Sequence, residues 1–393
     1  MKVSEIQILD GSKMEDVIKL SEFAFQYVLS EDQKEKQQSW YGRHKIFGMN
    51  DGQNLASKLH LVPLHTYIHG TSYKMGGIAA VATWPEYRRQ GMVKQLMIES
   101  LRVMKEEGYL LSYLHPFSVS FYRKYGWETL TSVKKYKLPL NKLSFSKTTG
   151  SVKRVGSDIP LLNGIYEAYC EQYNGLLQRS EWWWRNRVFS EDEHATVWFD
   201  NENNPKGYMI YTVSDKLMKI EEFVHLNVQA QLGLLQFIRN HDSMAEKVEM
   251  FMPENDKLSY LLDEPTIEQV TETYYMSRIV DAHSFLKQYP FEQEDGETLF
   301  LHISDEYASW NSGTYRIGKN DVEFFPEKKE KKACSQAPKR GIRCDIQTLT
   351  TLLLGYQKTS FLYETGKLQG DVSDVKRFEK WIPSKDTYFL DFY

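Results

Sequence analysis

The stretch Val81-Ala82-Thr83-Trp84-Pro85-Glu86-Tyr87-Arg88-Arg89-Gln90-Gly91-Met92 constrains this chain more than any other. An apolar strand runs into a turn marked by Pro85, then two arginines and a glycine, then a long amphipathic helix. That order builds a backbone cradle for a diphosphate. Free N–H groups at a helix N-terminus point at the anion, and the helix dipole adds to the attraction. Gly91 carries no Cβ and lets the backbone approach closely, while Arg88 and Arg89 place positive charge nearby. The alternative is a plain turn at a solvated surface. Val81–Thr83 lacks polar alternation, as expected for a buried strand with a ligand against its end.

The flanking sequence predicts an α/β domain of mixed sheet topology. Met14 to Tyr27 carries apolar residues at helical spacing (Met14, Val17, Ile18, Phe25). Lys58 to Ile68 alternates as a strand, residues 69–72 form a turn, and Ile78 to Thr83 is a second strand. Gly91 to Glu107 is a helix with Val93, Leu96, Met97, Leu101 and Met104 on one face, ended by Gly108. Tyr109 to Leu114 is a third strand. Ser118 caps a short helix to Lys124, Gly126 ends it, and Trp127 to Tyr136 returns as strand.

Pro139 to Gly150 reads as a linker. A second block, to about Asp281, holds a strand (Lys219 to Val224) and a helix (Ala230 to Asn240) in the same order. Its connecting loop, His225 to Gln229, has no arginine pair, and Gly233 falls inside the helix. This block is either a degenerate copy that cannot hold a diphosphate or an unrelated α/β unit. From about Ser284 a third block shows strands at 297–303, 313–317 and 322–325. The charged run Glu327 to Lys332 reads as a solvated loop. Cys344 or Asp345 opens an apolar helix ended by Gly355. Chain ends that nothing holds are usually disordered. This one is apolar and aromatic through Tyr393, which predicts a buried tail with a defined place for its carboxylate.

Bulk properties exclude several classes. At 393 residues the chain suits two or three domains. No apolar run reaches the ~18–20 residues that cross a bilayer, and no signal-peptide core follows Met1. A formal net charge of −4 argues against general nucleic-acid binding and is compatible with a cationic substrate. Three cysteines (Cys170, Cys334, Cys344) form no metal-ligating spacing. No metal and a reducing cytoplasm are therefore expected.

Arg88-Arg89-Gln90-Gly91-Met92-Val93 and the later Phe121-Tyr122-Arg123-Lys124-Tyr125-Gly126-Trp127 together resemble the GCN5-related N-acetyltransferase superfamily. Its acetyl-CoA motif is Arg/Gln-x-x-Gly-x-Gly/Ala, between a strand and a helix. Val93 at the last position departs from that pattern. The three-block length, Arg179-Ser180-Glu181-Trp182-Trp183-Trp184-Arg185, the run Met276 to Asp281 and the end Asp391-Phe392-Tyr393 resemble the Eis (enhanced intracellular survival) family across essentially the whole chain.

That resemblance implies an α/β (α+β) architecture of two acetyltransferase-like mixed-sheet domains followed by a sterol-carrier-like α/β domain. The expected divisions are 1–137, binding acetyl-CoA; 138–283, degenerate; and 284–393, carrying a catalytic C-terminus. It implies acetyl-CoA as co-substrate and N-acetylation of cationic amines, of aminoglycoside or polyamine type, in a homo-oligomer, commonly a hexamer. Val81, Ala82 and Thr83 would bond the pantetheine through main-chain groups. Arg89, Gln90, Gly91, Met92, Val93 and Lys94 would hold the diphosphate, and Phe117 and Ser118 would flank the cofactor. Tyr122 would be the general acid and the terminal carboxylate of Tyr393 the general base.

The chemistry suits those roles. A tyrosine, with a pKa of ~10, can protonate a departing thiolate within hydrogen-bond reach. A terminal carboxylate, ordinarily near ~3.5, becomes a better base when buried. An N–H near Val81–Thr83 can serve the oxyanion. Read as residues alone, Tyr122 is more readily a packed core aromatic like Phe121 and Tyr125, since only one of the three should face the thioester, and Tyr393 is equally a terminus packed on the core. Trp40, Phe25 and Asp391 are weaker pocket candidates, and the tryptophan run reads as packing. Competing functions are protein lysine N-acetylation and non-enzymatic lipid binding or interaction.

Overall fold

Periodicity sets the elements of the first block in order: β1 (Gln7–Leu9), α1 (Met14–Phe25), α2 (Glu31–Tyr41), β2 (Lys45–Asp51), β3 (Asn54–Ile68), β4 (Thr71–Thr83), α3 (Met92–Glu106), β5 (Leu111–Leu114), α4 (Val119–Arg123) and β6 (Glu128–Pro139). This is a computed structural model, describing residues 5–143, 149–190, 192–294, 296–319, 321–327 and 340–393. The middle block supplies β7 (Ser151–Arg154), α5 (Ile159–Cys170), α6 (Glu181–Trp183), β8 (His194–Phe199), β9 (Pro205–Ser214), β10 (Leu217–His225), α7 (Val228–Arg239), β11 (Lys247–Pro253), α8 (Leu258–Leu261) and β12 (Glu268–Ile279). The last supplies α9 (Ala282–Gln288), β13 (Thr298–Ser304), β14 (Gly313–Gly318), β15 (Asp321–Pro326), β16 (Ile342–Asp345), α10 (Ile346–Leu353), α11 (Thr359–Glu364) and α12 (Val372–Trp381). Cys334, residues 328–332 of the charged run and 144–148 of the expected linker lie outside the described residues.

Two compact units result, and neither is a continuous stretch of chain. The first unit comprises Met1–Thr66, Tyr73–Glu128 and Met276–Pro383. Its main sheet runs β1-β2-β3-β4-β5 and is completed by the end of β12, where Met276–Ile279 pairs antiparallel with Leu111–Leu114. β4 and β5 are parallel, so the sheet is mixed. α3 lays Leu96, Met97, Leu101 and Met104 into a core shared with Phe47, Leu59, Ile78 and Trp127, all essentially inaccessible to water. Burying each such aliphatic side chain stabilises the fold by about 1.5–3 kcal/mol. A smaller sheet, β15-β14-β13-β16, belongs to the same unit. There Cys344 is a strand residue, and Asp345 caps α10 by accepting from Thr348 N. Of the two expected openings, Cys344 and Asp345, the helix takes Asp345 as its cap and begins at Ile346, because a carboxylate satisfies its first free N–H groups.

The second unit comprises Tyr67–Ser72, Thr129–Tyr275 and the tail Ser384–Tyr393. Its sheet runs β6-β11-β10-β9-β8-β7, with β10 and β11 parallel. Successive residues of β9 face opposite sides, as the two-residue strand period demands. Met209 and Tyr211 pack with Leu234, Leu235 and Ile238 of α7, whereas Tyr208 and Ile210 pack with Tyr166 and Tyr169 of α5. Tyr388 and Phe389 are fully buried and belong to the core, whereas Phe392 is 55% exposed and Tyr393 half-buried, so the expected burial stops short of the last two residues. Among the described residues no helix is long and apolar enough to cross a membrane, and no His/Cys/Asp/Glu group could hold a metal ion. Cys170 and Cys344 are buried free thiols.

Candidate active site

β4 and β5 part company. Their parallel pairing covers Met75–Ile78 against Leu111–Leu114 and stops there, while β4 continues to Thr83. In an antiparallel pair the N–H and C=O of one residue face the same neighbour, and residues alternate. Trp84 N–H bonds Ala56 O on β3 at 3.1 Å. Counting back from it, Ala82 faces β3, and its carbonyl accepts from Ser57 Oγ at 3.2 Å. Thr83 and Val81 therefore turn their main-chain groups to the side β5 has left. Residues 79–81 are half-buried within an otherwise buried run. The opening is a slot for an extended group that bonds to a strand edge.

The turn below the slot has the makings of an anion cradle. Arg89 and Gly91 both adopt left-handed backbone conformations, with φ of 63° and 80°. Alternation of this kind curls successive N–H groups around an anion. Gly91 is the N-cap of α3, and no side chain caps that end. An added Cβ at Gly91 would meet nothing within 4 Å; the glycine is there for its φ. Arg88 is tied back to Thr83 O by Nε at 3.3 Å, and Gln90 to Glu86 O at 3.1 Å. Arg89 is exposed and hydrogen-bonds no described residue. Of the two arginines, Arg89 is the one available to a ligand. Met92 is buried and anchors the helix, Val93 is half-buried, and Lys94 projects over the Tyr307 ring at 5.4 Å.

Beyond β5 the chain reaches Phe117, exposed at 72%, and Ser118, whose hydroxyl caps α4 by accepting from Phe121 N. Tyr122 is 3% exposed and sits edge-on to Phe117 and Phe121, with ring centroids at 5.3 and 5.1 Å. It shares its apolar cluster with Leu114 and Met92, and Val81 and Val93 pack against that cluster. Burial pushes its phenol well above the ordinary tyrosine value. Gly126, at φ 92°, lets Arg278 through: a Cβ there would collide with the Arg278 guanidinium. Arg278 is buried, bonds Tyr125 O and pairs with Asp305. The last strand of this sheet and the aromatic motif are thus fastened together.

The weaker pocket candidates separate. Trp40 is buried against His44, Phe25 is half-exposed at the end of α1, and Asp391 is an internal ion-pair partner. Sequence reading missed Lys58. It is completely buried on β3, and its Nζ lies 2.8 Å from Ser21 Oγ, 3.0 Å from His60 Nε2 and 3.2 Å from Ala80 O. Ala80, at φ 47°, is a left-handed break inside β4. Burial lowers the Lys58 pKa to about 7. Burial, with Lys58 and His44 adding to it, holds the His60 ring well below the usual imidazole range. A lysine inside an alternating strand is the one signal that could have exposed this cluster.

The second unit contains a counterpart of the slot, with the chain's own tail along its wall. β10 and β11 pair over Leu217–Ile220 and Lys247–Met250 only, and β10 is irregular between Ile220 and Glu222. A cavity of about 250 Å³ there is lined by Glu221, Glu222, Phe251 and the tail residues Tyr388–Phe392. Arg179, buried against the Tyr166 and Trp184 rings, binds Glu222 at 2.5 Å and Asp391 at 3.0 Å. Trp183 Nε1 donates to Asp391 at 2.6 Å. Burial raises the Asp391 pKa, with Arg179 opposing. Tyr393 N–H reaches Tyr275 Oη at 3.4 Å. The start of α7 differs from that of α3, because Asn227 caps it through its own side chain. The second helix start is therefore closed to an anion.

Residues 5–130 and 175–279 each match the acetyltransferase (GNAT) domain, and 282–390 match the sterol carrier protein domain. N-acetyltransferase Eis of Mycobacterium tuberculosis and of Mycobacterium bovis is 24% identical over 322 residues, covering 77% of this chain and 76% of the relative. The chain belongs to the Eis family of GCN5-related N-acetyltransferases. A probable N-acyltransferase from Enterococcus faecalis superposes with a TM-score of 0.91 at 26% identity, over 99% of each chain. Eis1 from Mycobacterium abscessus gives 0.80 at 16% identity, over 99% of this chain and 100% of that one. Acetyltransferases of this superfamily take acetyl-CoA as co-substrate, and the acceptor of an Eis-family N-acetyltransferase is an amine.

Proposed function

We propose that this Eis-family enzyme transfers acetyl directly from acetyl-CoA to an amine of a cationic small molecule, of aminoglycoside or polyamine type. The observation that carries this reading is the coincidence of an open strand edge at Val81–Thr83 with an uncapped helix start at Gly91. Val81 and Thr83 present their main-chain groups to the pantetheine arm, with Ala82 between them bonded back to β3. Arg89 and Gln90 through Lys94 enclose the diphosphate, and Phe117 and Ser118 border the other side. Burial favours the protonated phenol of Tyr122, which gives its proton to the departing thiolate. The terminal carboxylate of Tyr393 accepts the proton the amine loses. The segments 1–137, 138–283 and 284–393 serve as cofactor-binding, tail-seating and tail-carrying parts of a homo-oligomer, hexameric by analogy with its family. The chemistry needs no metal and no nucleic-acid partner, and the enzyme works in the cytoplasm.

A thermal-shift titration with acetyl-CoA, followed by thiol release across a panel of polyamines, aminoglycosides and lysine peptides, tests this. Turnover is expected to be highest with small polycations. Higher turnover with peptides would transfer the assignment to protein acetylation, and no thiol release with any amine would overturn it.

A further inference from the structure

A lysine with no carboxylate beside it is an expensive residue to bury, since an apolar side chain of similar size would avoid the desolvation cost. Lys58 is surrounded by Ser21 of α1, the Tyr41 ring of α2 at 5.6 Å, His60 of its own strand and Ala80 O of β4. Beyond His60, His44 Nδ1 lies 3.1 Å from His60 Nδ1. Among the described residues no acidic group pairs with Lys58. Three acceptors match the three N–H bonds of an ammonium, and the neutral amine still has two to give. In either state the carbonyl of Ala80 can only accept.

That carbonyl sits where β4 breaks. With φ of 47°, Ala80 is in a region that L-residues avoid. Ala80 C=O and Val81 N–H belong to one peptide unit, and a trans peptide directs its C=O and N–H oppositely. Whatever fixes the first aims the second. Val81 is also one of the residues whose main chain turns toward the slot.

We propose that Lys58 is a positioning residue that pins the Ala80–Val81 peptide so that Val81 N–H serves as the oxyanion donor in acetyl transfer. The inference rests on the reading that the slot receives the thioester. As the amine nitrogen bonds to the acyl carbon, the carbonyl π pair moves to oxygen, and Val81 N–H stabilises that charge. When the pair returns, the C–S bond breaks and the thiolate leaves to take a proton. A donor aimed in advance costs no reorganisation at that moment, which makes such donors effective.

The test combines an amide signal with kinetics. In ¹⁵N-valine-labelled protein, with the Val81 peak assigned by its loss in Val81→Ile, acetyl-CoA should shift the Val81 amide proton downfield and CoA, which lacks the carbonyl, should not. In Lys58→Met the difference should vanish. Its kcat should fall about 10- to 100-fold, with KM for acetyl-CoA within about twofold. A Val81 amide in the wild type that responds equally to both ligands overturns the inference, whether or not Lys58→Met folds. So does a folded Lys58→Met whose kcat stays within about twofold, or whose loss lies in KM. Wild-type protein that neither binds nor turns over acetyl-CoA would instead overturn the proposed function.

Discussion

At the level of single residues, two arginines adjacent in sequence have different work to do. Arg88 Nε donates to Thr83 O, so Arg88 braces the strand end, and Arg89 is exposed and hydrogen-bonds no described residue. Arg89→Ala should weaken acetyl-CoA binding about 10-fold, the scale of one charge-assisted hydrogen bond, with kcat nearly unchanged. Isothermal titration beside steady-state kinetics checks this. Tyr122→Phe should do the reverse, lowering kcat by about 10²–10⁴ with acetyl-CoA affinity retained, as loss of a general acid predicts; equal turnover would return Tyr122 to the core. Lys58 also leaves a mark on stability. Its ordinary pKa of 10.5 falls to about 7 on folding. Between those values the unfolded chain holds a proton at this position that the folded chain has released, so stability rises with pH across that window. Urea unfolding at pH 7, 8 and 9 should show the wild type gaining on Lys58→Met, and a constant gap would contradict the shift.

Among the elements, the tail is held by chemistry rather than by fit alone. Arg179→Met would leave Glu222 and Asp391 as buried carboxylates without a cation, and should cost roughly 3–5 kcal/mol in urea unfolding. Tyr393→Phe keeps the terminal carboxylate and should retain activity. A short C-terminal extension should abolish it, and full activity in an extended chain would remove the terminal base. How much of this was readable follows from which signals are local. α1, α3 and α4 declared themselves through apolar spacing and caps, and the Arg89–Gly91 turn through its residues. α2 did not: its residues are mostly polar, and only its Ser30–Gln33 capping box marked it. β5 reads as a strand, yet nothing in Leu111–Leu114 says that its pairing with β4 ends at Ile78. The break at Ala80 was equally hidden, because alanine carries no signature of a positive φ. The aromatic tail announced burial, but its partner Arg179 lies 212 residues away in sequence.

For the molecule as a whole, segment and unit do not coincide. β6, which follows the aromatic motif directly, lies beside β11 in the second unit. Met276–Ile279, which closes the segment matching the second acetyltransferase domain, lies beside β5 in the first. A fragment ending at residue 137 therefore has an unpaired β5 edge and loses Arg278 from the Gly126 contact. Such edges invite aggregation, so the fragment should be insoluble or molten by near-UV circular dichroism; a cooperative melt from it would show that β12 is dispensable. The same exchange bears on how the protein is made. Leu111–Leu114 leaves the ribosome well before its partner Met276–Ile279 exists. At roughly 5–20 residues per second the interval is on the order of 10–30 s. Throughout it the nascent slot has one wall complete and the other missing its neighbour, an exposure in which a chaperone would find its hold.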